Sequence, residues 1–191
     1  MGLSLVGIDC DLGEASVQIA SDSYSIGELA TRRLIDDGCS RILCLRSNSR
    51  MRMPANKRTD AHLDVVEQAG LPALVREVEF VKPDDEKSAV VAKILDENSD
   101  IDGIFAGDDT MAAICLNIMK QRGLSAPDDI KVVGADGARR TMTFMPDLTT
   151  VRQDIDRIGE LAAQSIIALV NGDNPESNIK LPVELIEGKT A

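Results

Sequence analysis

Acidic residues follow two apolar segments in the second half of the sequence. Asp108 and Asp109 come directly after GIFAG, and Asp136 comes directly after KVVGA. In an open parallel sheet the carboxyl ends of the strands form the ligand crevice, so these carboxylates are candidates for one shared site. Simpler roles are also open, because Asp109 is well placed as the N-cap of the following helix and Asp136 could be a turn residue.

Apolar runs alternate with helical patterns around these acids. This alternation is typical of βαβ units and a parallel sheet flanked by helices. We predict strands at 41–46, 75–81, 101–106 and 130–134, and helices at 57–69, 85–97 and 110–122. Four strands with three crossover helices make one complete lobe.

The two ends of the chain predict a second, incomplete lobe. LSLVGID and SVQIASD resemble strands, and Ser25 and Glu28 form a capping box that opens a helix closed by Gly38. Near the other end, a helix with an apolar stripe is followed by a strand in LPVELIE. These elements cannot cover both faces of a parallel sheet, so we infer that βα units preceding Met1 have been removed.

The predicted division follows from this count of elements. The partial N-terminal lobe comprises residues 1–38 and 151–182. The complete C-terminal lobe comprises residues 39–150 and 183–191.

Composition excludes several classes of function. The formal net charge of −11 argues against nucleic-acid binding by this chain, because such binding depends on neutralising phosphates with Lys and Arg. No apolar run approaches the roughly 20 residues that a bilayer span needs, and the first residues lack the basic segment of a secretory signal. The four cysteines lack metal-ligand spacing, so we expect buried free thiols in a reducing cytoplasm.

Seven motifs together resemble the effector-binding region of the lactose and purine repressor family. They are Asp22 before the capping-box helix, LIDDGCSRILCL, Arg58, GIFAGDDTMA, GLSAPDDIKVVGADG, PDLTTVRQD and LPVELIEG. The resemblance implies a periplasmic-binding-protein-like α/β fold and lobe closure on a small molecule. It also implies no catalysis and no cofactor, a homodimer in the full-length protein, and DNA binding only through a helix-turn-helix absent from this chain.

Carried over position by position, the family's effector contacts fall on Asp22, Arg58, Asp108, Asp136 and Gln153. The fork of Arg58 suits vicinal hydroxyls or an anionic group. Carboxylates accept hydrogen bonds from hydroxyls or exocyclic amines. The expected effector is a small polar molecule: a sugar, a sugar acid or a purine-like compound.

This sequence departs from the family pattern at several positions. Asp108 stands where the family often has Asn, and Ala61 and His62 replace the Gly and the aromatic residue that usually follow the arginine. The family commonly places an aromatic side chain against the effector, and the corresponding positions here are Ile155 and the neighbourhood of Val81 and Lys82. A positive cluster on an acidic chain keeps a sugar acid or phosphorylated ligand open; its members are Arg46, Arg50, Arg52, Lys57 and Arg58. His62, the only histidine, is expected to be a surface or packing residue.

Two other functions fit parts of the sequence. A periplasmic solute-binding protein of a sugar transporter shares the fold and the cleft. A magnesium-dependent phosphatase of the haloacid-dehalogenase type could use Asp9 and Asp11 after LVGI together with the later acidic pair. The phosphatase is the weaker alternative, because the Lys and Thr motifs of that class are missing between the two acidic pairs.

Overall fold

The computed structural model describes residues 5–10, 12–13, 16–48, 56–79 and 81–191. The strands in this part of the chain are β1 (Leu5–Ile8), β2 (Ser16–Ser21), β3 (Ile42–Asn48), β4 (Leu74–Glu79), β5 (Gly103–Ala106), β6 (Lys131–Asp136), β7 (Thr149–Gln153), β8 (Asn178–Leu181) and β9 (Val183–Ile186). The helices are α1 (Ser23–Asp36), α2 (Asn56–Gln68), α3 (Asp84–Glu97), α4 (Asp109–Gln121), α5 (Arg139–Phe144) and α6 (Ile155–Asn171).

Six strands form the larger sheet, in the order β4-β3-β5-β6-β7-β9. All neighbours are parallel except β9, which runs antiparallel to β7. The central strands are continuous apolar runs because helices cover both faces of a parallel sheet. Leu43 and Ile104 pack on the face covered by α3 and α4, whereas Cys44, Phe105 and Val133 pack on the opposite face.

Helix α1 lies on this second face together with α2. Its buried residues Ile26, Ala30 and Leu34 belong to the same apolar cluster as Phe105. The two helices pack closely at Gly27, where a Cβ atom would collide with the backbone carbonyl of Arg58. We call the six-stranded sheet with its helices α1 to α5 the large lobe.

Strands β1, β2 and β8 form a separate parallel sheet, which we call the small lobe together with α6. Its core is small and centres on Val17, Ile19 and Ile158. The chain passes between the lobes from β7 to α6 and again from β8 to β9, in addition to the step from β2 to α1.

The predicted parallel sheets flanked by helices are confirmed, and the predicted elements lie within two residues of the observed ones. The boundaries between lobes differ from the prediction. The prediction assigned residues 1–38 to the N-terminal lobe, but the apolar face of α1 packs on the large lobe, so the division falls near Asp22. Similarly, β7 extends the larger sheet and moves the second boundary from residue 151 to about Asp154. Sequence patterns did not predict α5 or β8, and they treated β7 as a crossing segment.

Both predicted N-caps are shifted. Helix α1 begins at Ser23, and Asp22 rather than Ser25 caps it, with Oδ1 accepting a bond of 3.3 Å from the Ser25 amide. Helix α4 is capped by Asp108 rather than Asp109, through a 2.8 Å bond from the Met111 amide. In each case the carboxylate lies one residue before the helix, where it satisfies an otherwise free backbone donor.

Three cysteines, Cys39, Cys44 and Cys115, are buried free thiols, and Cys10 is a partly exposed one. Within the described segments, no helix is long and apolar enough to cross a membrane.

Candidate functional site

A cavity of about 340 Å³ lies between the two lobes. From the large lobe it is lined by residues at the carboxyl ends of β3, β5, β6 and β7 and at the start of α2. From the small lobe it is lined by the end of β1 and the first turn of α6. The residues that carry its polar chemistry are Asp9, Arg46, Ser47, Arg58, Asp108, Asp136 and Gln153.

Arg58 is the central cation of this cavity. It lies in the first turn of α2 and is only 9% exposed. Its Nη1 donates to the carbonyl of Gly107 at 2.5 Å, and its Nη2 donates to Asp136 Oδ1 at 3.1 Å. Its third nitrogen, Nε, is buried and has no hydrogen-bond partner within the described residues. The guanidinium is therefore held in place from one side while one donor stays unused.

Asp136 ends β6 with an unusual backbone, at φ 114°. A non-glycine residue keeps such a conformation only where its surroundings enforce it, and this kind of strain is concentrated at functional sites. Its Oδ1 accepts from Arg58 and from Gln153 Nε2, the latter at 2.6 Å. Burial raises the pKa of this carboxyl, and the neighbouring Arg58 charge opposes that shift. The three predicted residues thus form one hydrogen-bonded group.

Asp108 lines the same cavity but has other partners as well. Besides capping α4, its Oδ2 accepts from Ser47 Oγ at 3.2 Å. Both oxygens are thus already used within the protein. A ligand contact at Asp108 remains a prediction. Asp108 also has the helix-capping role that the sequence analysis assigned to Asp109.

Asp22 is placed differently from the other four predicted residues. It caps α1, and its Oδ2 lies 3.7 Å from Lys180 Nζ of β8. The neighbouring Ser23 lines the cavity, whereas Asp22 does not. Asp22 thus lies at the boundary between the lobes, and its predicted ligand contact stays a prediction.

Sequence reasoning missed Asp9 as a binding residue and considered it only for a phosphatase. Asp9 follows β1, lines the cavity and has φ 49°. Its Oδ1 is buried and has no hydrogen-bond partner in the described part of the chain. The sequence contained the signal, because Asp9 directly follows the apolar run LVGI, just as Asp108 and Asp136 follow their apolar segments.

The positions at which the family commonly places an aromatic side chain carry none in this sequence. Ile155 lines the cavity, whereas Val81 is 81% exposed and lies outside it. Phe105 on β5 is the one aromatic residue among the described residues around the cavity, and its side chain is fully buried, at 0% exposure. The sequence analysis did not predict a ring near the cavity, because the apolar run of β5 indicates only a strand buried in the core.

Two of the five members of the predicted positive cluster are paired with carboxylates. Arg46 forms an ion pair with Glu77, and Arg58 pairs with Asp136. Lys57 is exposed at the start of α2 and does not line the cavity. The remaining members, Arg50 and Arg52, lie outside the described residues.

Neither the histidine nor the thiol near the cavity is set up for catalysis. Burial lowers the pKa of His62 to about 4, and its Nδ1 lies 3.0 Å from Thr31 Oγ1. Burial also raises the pKa of the Cys44 thiol to about 12. The prediction of a packing role for His62 is confirmed. In the phosphatase alternative, Asp9 and Asp108 line the same cavity, Asp11 lies outside the described residues, and no group of three possible metal ligands occurs among those described.

Known proteins with similar sequence and structure are transcriptional regulators. The sucrose operon repressor of Lactococcus lactis subsp. lactis is 31% identical over 96% of this chain and 56% of the repressor. The ribose operon repressor of Halalkalibacterium halodurans is 28% identical over 100% of this chain and 57% of the repressor. The chain thus spans just over half the length of these curated relatives.

A solved structure with low sequence identity shares the fold of this chain. A LacI family transcriptional regulator from Enterococcus faecium, solved with bound ribose, matches 98% of this chain and 70% of that structure, with a TM-score of 0.87 and 20% identity. The predicted resemblance to the lactose and purine repressor family is confirmed. The profile of the periplasmic binding protein-like domain matches residues 31–191. The chain therefore belongs to the periplasmic binding protein-like domain family.

Proposed function

We propose that this chain is the small-molecule-binding region of a bacterial transcriptional repressor and that a neutral sugar binds in the cavity between its lobes. The proposal is supported by the repressors of sucrose and ribose operons that match nearly the whole chain. It is also supported by the volume of the cavity, about 340 Å³, since small-molecule sites commonly measure about 300–1,000 Å³.

The observation that carries the proposal is a set of three unused polar atoms on residues that line the cavity. Arg46 Nε and Arg58 Nε are donors and Asp9 Oδ1 is an acceptor; all three are buried, and none has a partner in the described segments. Leaving such a group unpaired costs about 1–3 kcal/mol. A hydroxyl group both donates and accepts, so a ligand with several hydroxyls can satisfy the two donors and the acceptor together.

The charge balance favours a neutral ligand over a sugar acid. The two arginines that line the cavity, Arg46 and Arg58, are each already paired with a carboxylate. Besides Asp136, which pairs with Arg58, two further carboxyl groups line the same space, on Asp9 and Asp108. An anionic ligand would have to displace one of the ion pairs and face these acids, whereas hydroxyls can donate to the carboxylates directly. A purine is a weaker fit, because Phe105 is the single aromatic ring among the cavity residues that the structure describes.

Ligand binding in this proposal closes the two lobes. The cavity takes Asp9 and Ile155 from the small lobe and Arg58 and Asp136 from the large lobe, so a ligand that contacts both sets stabilises the closed arrangement. The segments around Asp154 and Pro182 connect the lobes and would flex. In the full-length protein, closure would alter how a cytoplasmic homodimer presents its helix-turn-helix segments to an operator.

Calorimetry and thermal shift test the binding step. We expect D-ribose, sucrose or cellobiose to raise the melting temperature, because a ligand at 100 times its Kd stabilises the native state by about 2.7 kcal/mol. D-gluconate and adenosine serve as the acidic and purine probes. The variants Arg58→Gln and Asp9→Asn should each weaken binding of the active sugar at least tenfold. Asp128→Asn is the matched control, because Asp128 is exposed in the loop before β6, at the opposite end of the sheet.

Two outcomes would contradict the proposal. One is a stronger stabilisation by D-gluconate or adenosine than by every neutral sugar. The other is an active sugar whose affinity is unchanged in Arg58→Gln. The regulatory part is tested separately, with the full-length parent protein and operator DNA: loss or gain of DNA affinity on adding the active sugar supports it, and the absence of any change refutes it.

A further inference from the structure

The two acids of the GIFAGDD motif have different surroundings. Asp108 caps α4 and lines the cavity, whereas Asp109 is only 4% exposed and does not line it. Asp109 Oδ2 accepts from the amide of Gly137 at 2.9 Å, and its Oδ1 accepts from Thr150 Oγ1 at 2.6 Å. One buried carboxylate therefore connects α4 with two separate strands of the larger sheet.

Both connected strands supply a cavity residue. Gly137 directly follows Asp136, and Thr150 lies on β7, three residues before Gln153. The bond to the Gly137 amide fixes the turn in which Asp136 takes its unusual backbone conformation. The bond to Thr150 fixes the strand from which Gln153 reaches Asp136.

The packing leaves this carboxylate little freedom. A Cβ atom on Gly134 of β6 would lie 2.5 Å from Asp109 Oδ1, so the carboxylate lies directly against that strand. The Gly137 amide can only donate, and the Thr150 hydroxyl donates here, so the carboxylate accepts at both oxygens. An amide accepts at only one oxygen and would keep the second contact only if the Thr150 hydroxyl turned to accept from it.

An anion at this place is unfavourable for the folded state itself. Burial raises the pKa of Asp109 to about 6, and the charges of Asp136 on β6 and Asp108 on its own helix act in the same direction. The bonds from Thr150 and Gly137 oppose the shift, and Arg58 on α2 is paired with Asp136. The buried charge of Asp109 therefore lowers the stability of the folded state, yet the carboxylate is bonded to the segments that carry Asp136 and Gln153. This combination indicates a role in function.

We propose that Asp109 is a positioning residue, which holds Asp136 and Gln153 in ligand-binding geometry without touching the ligand. This inference rests on the proposed function. It assigns the second acid of the motif to the support of the site and the first to its lining.

Binding and stability measured on the same variants test the proposal. Asp109→Asn keeps the size of the side chain and one acceptor oxygen, and Asp109→Leu removes both acceptors. At pH 7.5 we expect the Kd for D-ribose to rise about fivefold in Asp109→Asn and at least tenfold in Asp109→Leu. The melting temperature of Asp109→Asn should stay at or above that of the wild type, and Asp128→Asn should match the wild type in both measurements.

The contrary results are equally defined. A Kd within twofold of the wild type in Asp109→Asn overturns the proposal, even if Asp109→Leu does not fold. A loss of affinity that accompanies a lowered melting temperature in Asp109→Asn shows a purely structural role and overturns it as well.

Hydrogen exchange of the Gly137 amide separates this inference from the choice of sugar. Its exchange should be at least tenfold faster in Asp109→Leu, which removes both acceptors, while the amide of Cys44 on β3 is unchanged. If the wild type does not bind D-ribose, the proposed function fails for that sugar and this exchange measurement decides the positioning role. Unchanged protection of Gly137 refutes it.

Discussion

His62 should make the stability of this protein depend on pH between about 4 and 6.5. The ring is buried between α1 and the larger sheet, with its Nδ1 bonded to Thr31 and its Nε2 without a partner in the described residues. Burial lowers its pKa from 6.5 to about 4, so the native state keeps it neutral while the unfolded chain protonates it. Stability is therefore fully present above pH 6.5 and decreases as the pH falls towards 4.

The size of the effect follows from the two pKa values. Between pH 7 and pH 5 the unfolded state gains a proton that the native state does not bind, which lowers the free energy of unfolding by about 2 kcal/mol. Asp109 acts in the opposite direction, because its raised pKa means that the native state holds a proton more tightly than the unfolded chain. Its contribution is the same in variants that differ only at His62, so a comparison between such variants removes it.

The assay is urea unfolding at pH 7 and pH 5 of the wild type and His62→Asn. Asn can keep the bond to Thr31 but does not titrate, so its variant should be less stable at both pH values and should lose about 2 kcal/mol less between them. Val66→Ala, which truncates another buried side chain of α2, is the control and should show the pH dependence of the wild type.

Equal losses in the wild type and His62→Asn would refute this reasoning. Because the sequence contains one histidine, its ring proton gives a single NMR titration. A midpoint near 6.5 in the folded protein would refute the reasoning independently.

Three further predictions concern packing and hydrogen bonds. Gly27→Ala should destabilise the protein by about 3 kcal/mol or more, because the added Cβ meets the backbone carbonyl of Arg58. Arg58→Lys should weaken binding of the active sugar at least tenfold, since one ammonium cannot replace the fork that holds both Gly107 and Asp136. Thr190→Val should cost about 2–3 kcal/mol, because the buried hydroxyl bonds to one backbone donor and one backbone acceptor.

Each of these has a control or a contrary result. Gly159→Ala, in α6 where nothing lies within 4 Å of an added Cβ, should instead stabilise by about 1 kcal/mol, and chemical denaturation distinguishes the two glycines. Calorimetry that shows unchanged sugar affinity in Arg58→Lys contradicts the role of the fork. For Thr190→Val, denaturation within about 0.5 kcal/mol of the wild type contradicts the two hydrogen bonds.

Local patterns were sufficient for most of the larger sheet and for the acids at its edge. Apolar runs and helical patterns predicted β3 to β6 and α2 to α4 within two residues, because a strand buried on both faces must be apolar throughout. The position of an acid after such a run also indicated Asp108 and Asp136 as site residues. The same rule applied to LVGI would have indicated Asp9.

The tertiary structure decided what each of these acids does. Asp108 and Asp109 are neighbours in sequence, and only the packing of α4 against β6 and β7 shows that the first caps the helix beside the cavity while the second connects two strands. The tertiary structure also placed α1 on the large lobe. The helix face that bears Ile26 and Leu34 must pack against an apolar surface, and the spacing of residues along the chain does not show which surface that is. The sequence by itself determined which residue types stand at strand ends. Which of them share a cavity depends on contacts between segments far apart in the chain, and these contacts exist only in the folded protein.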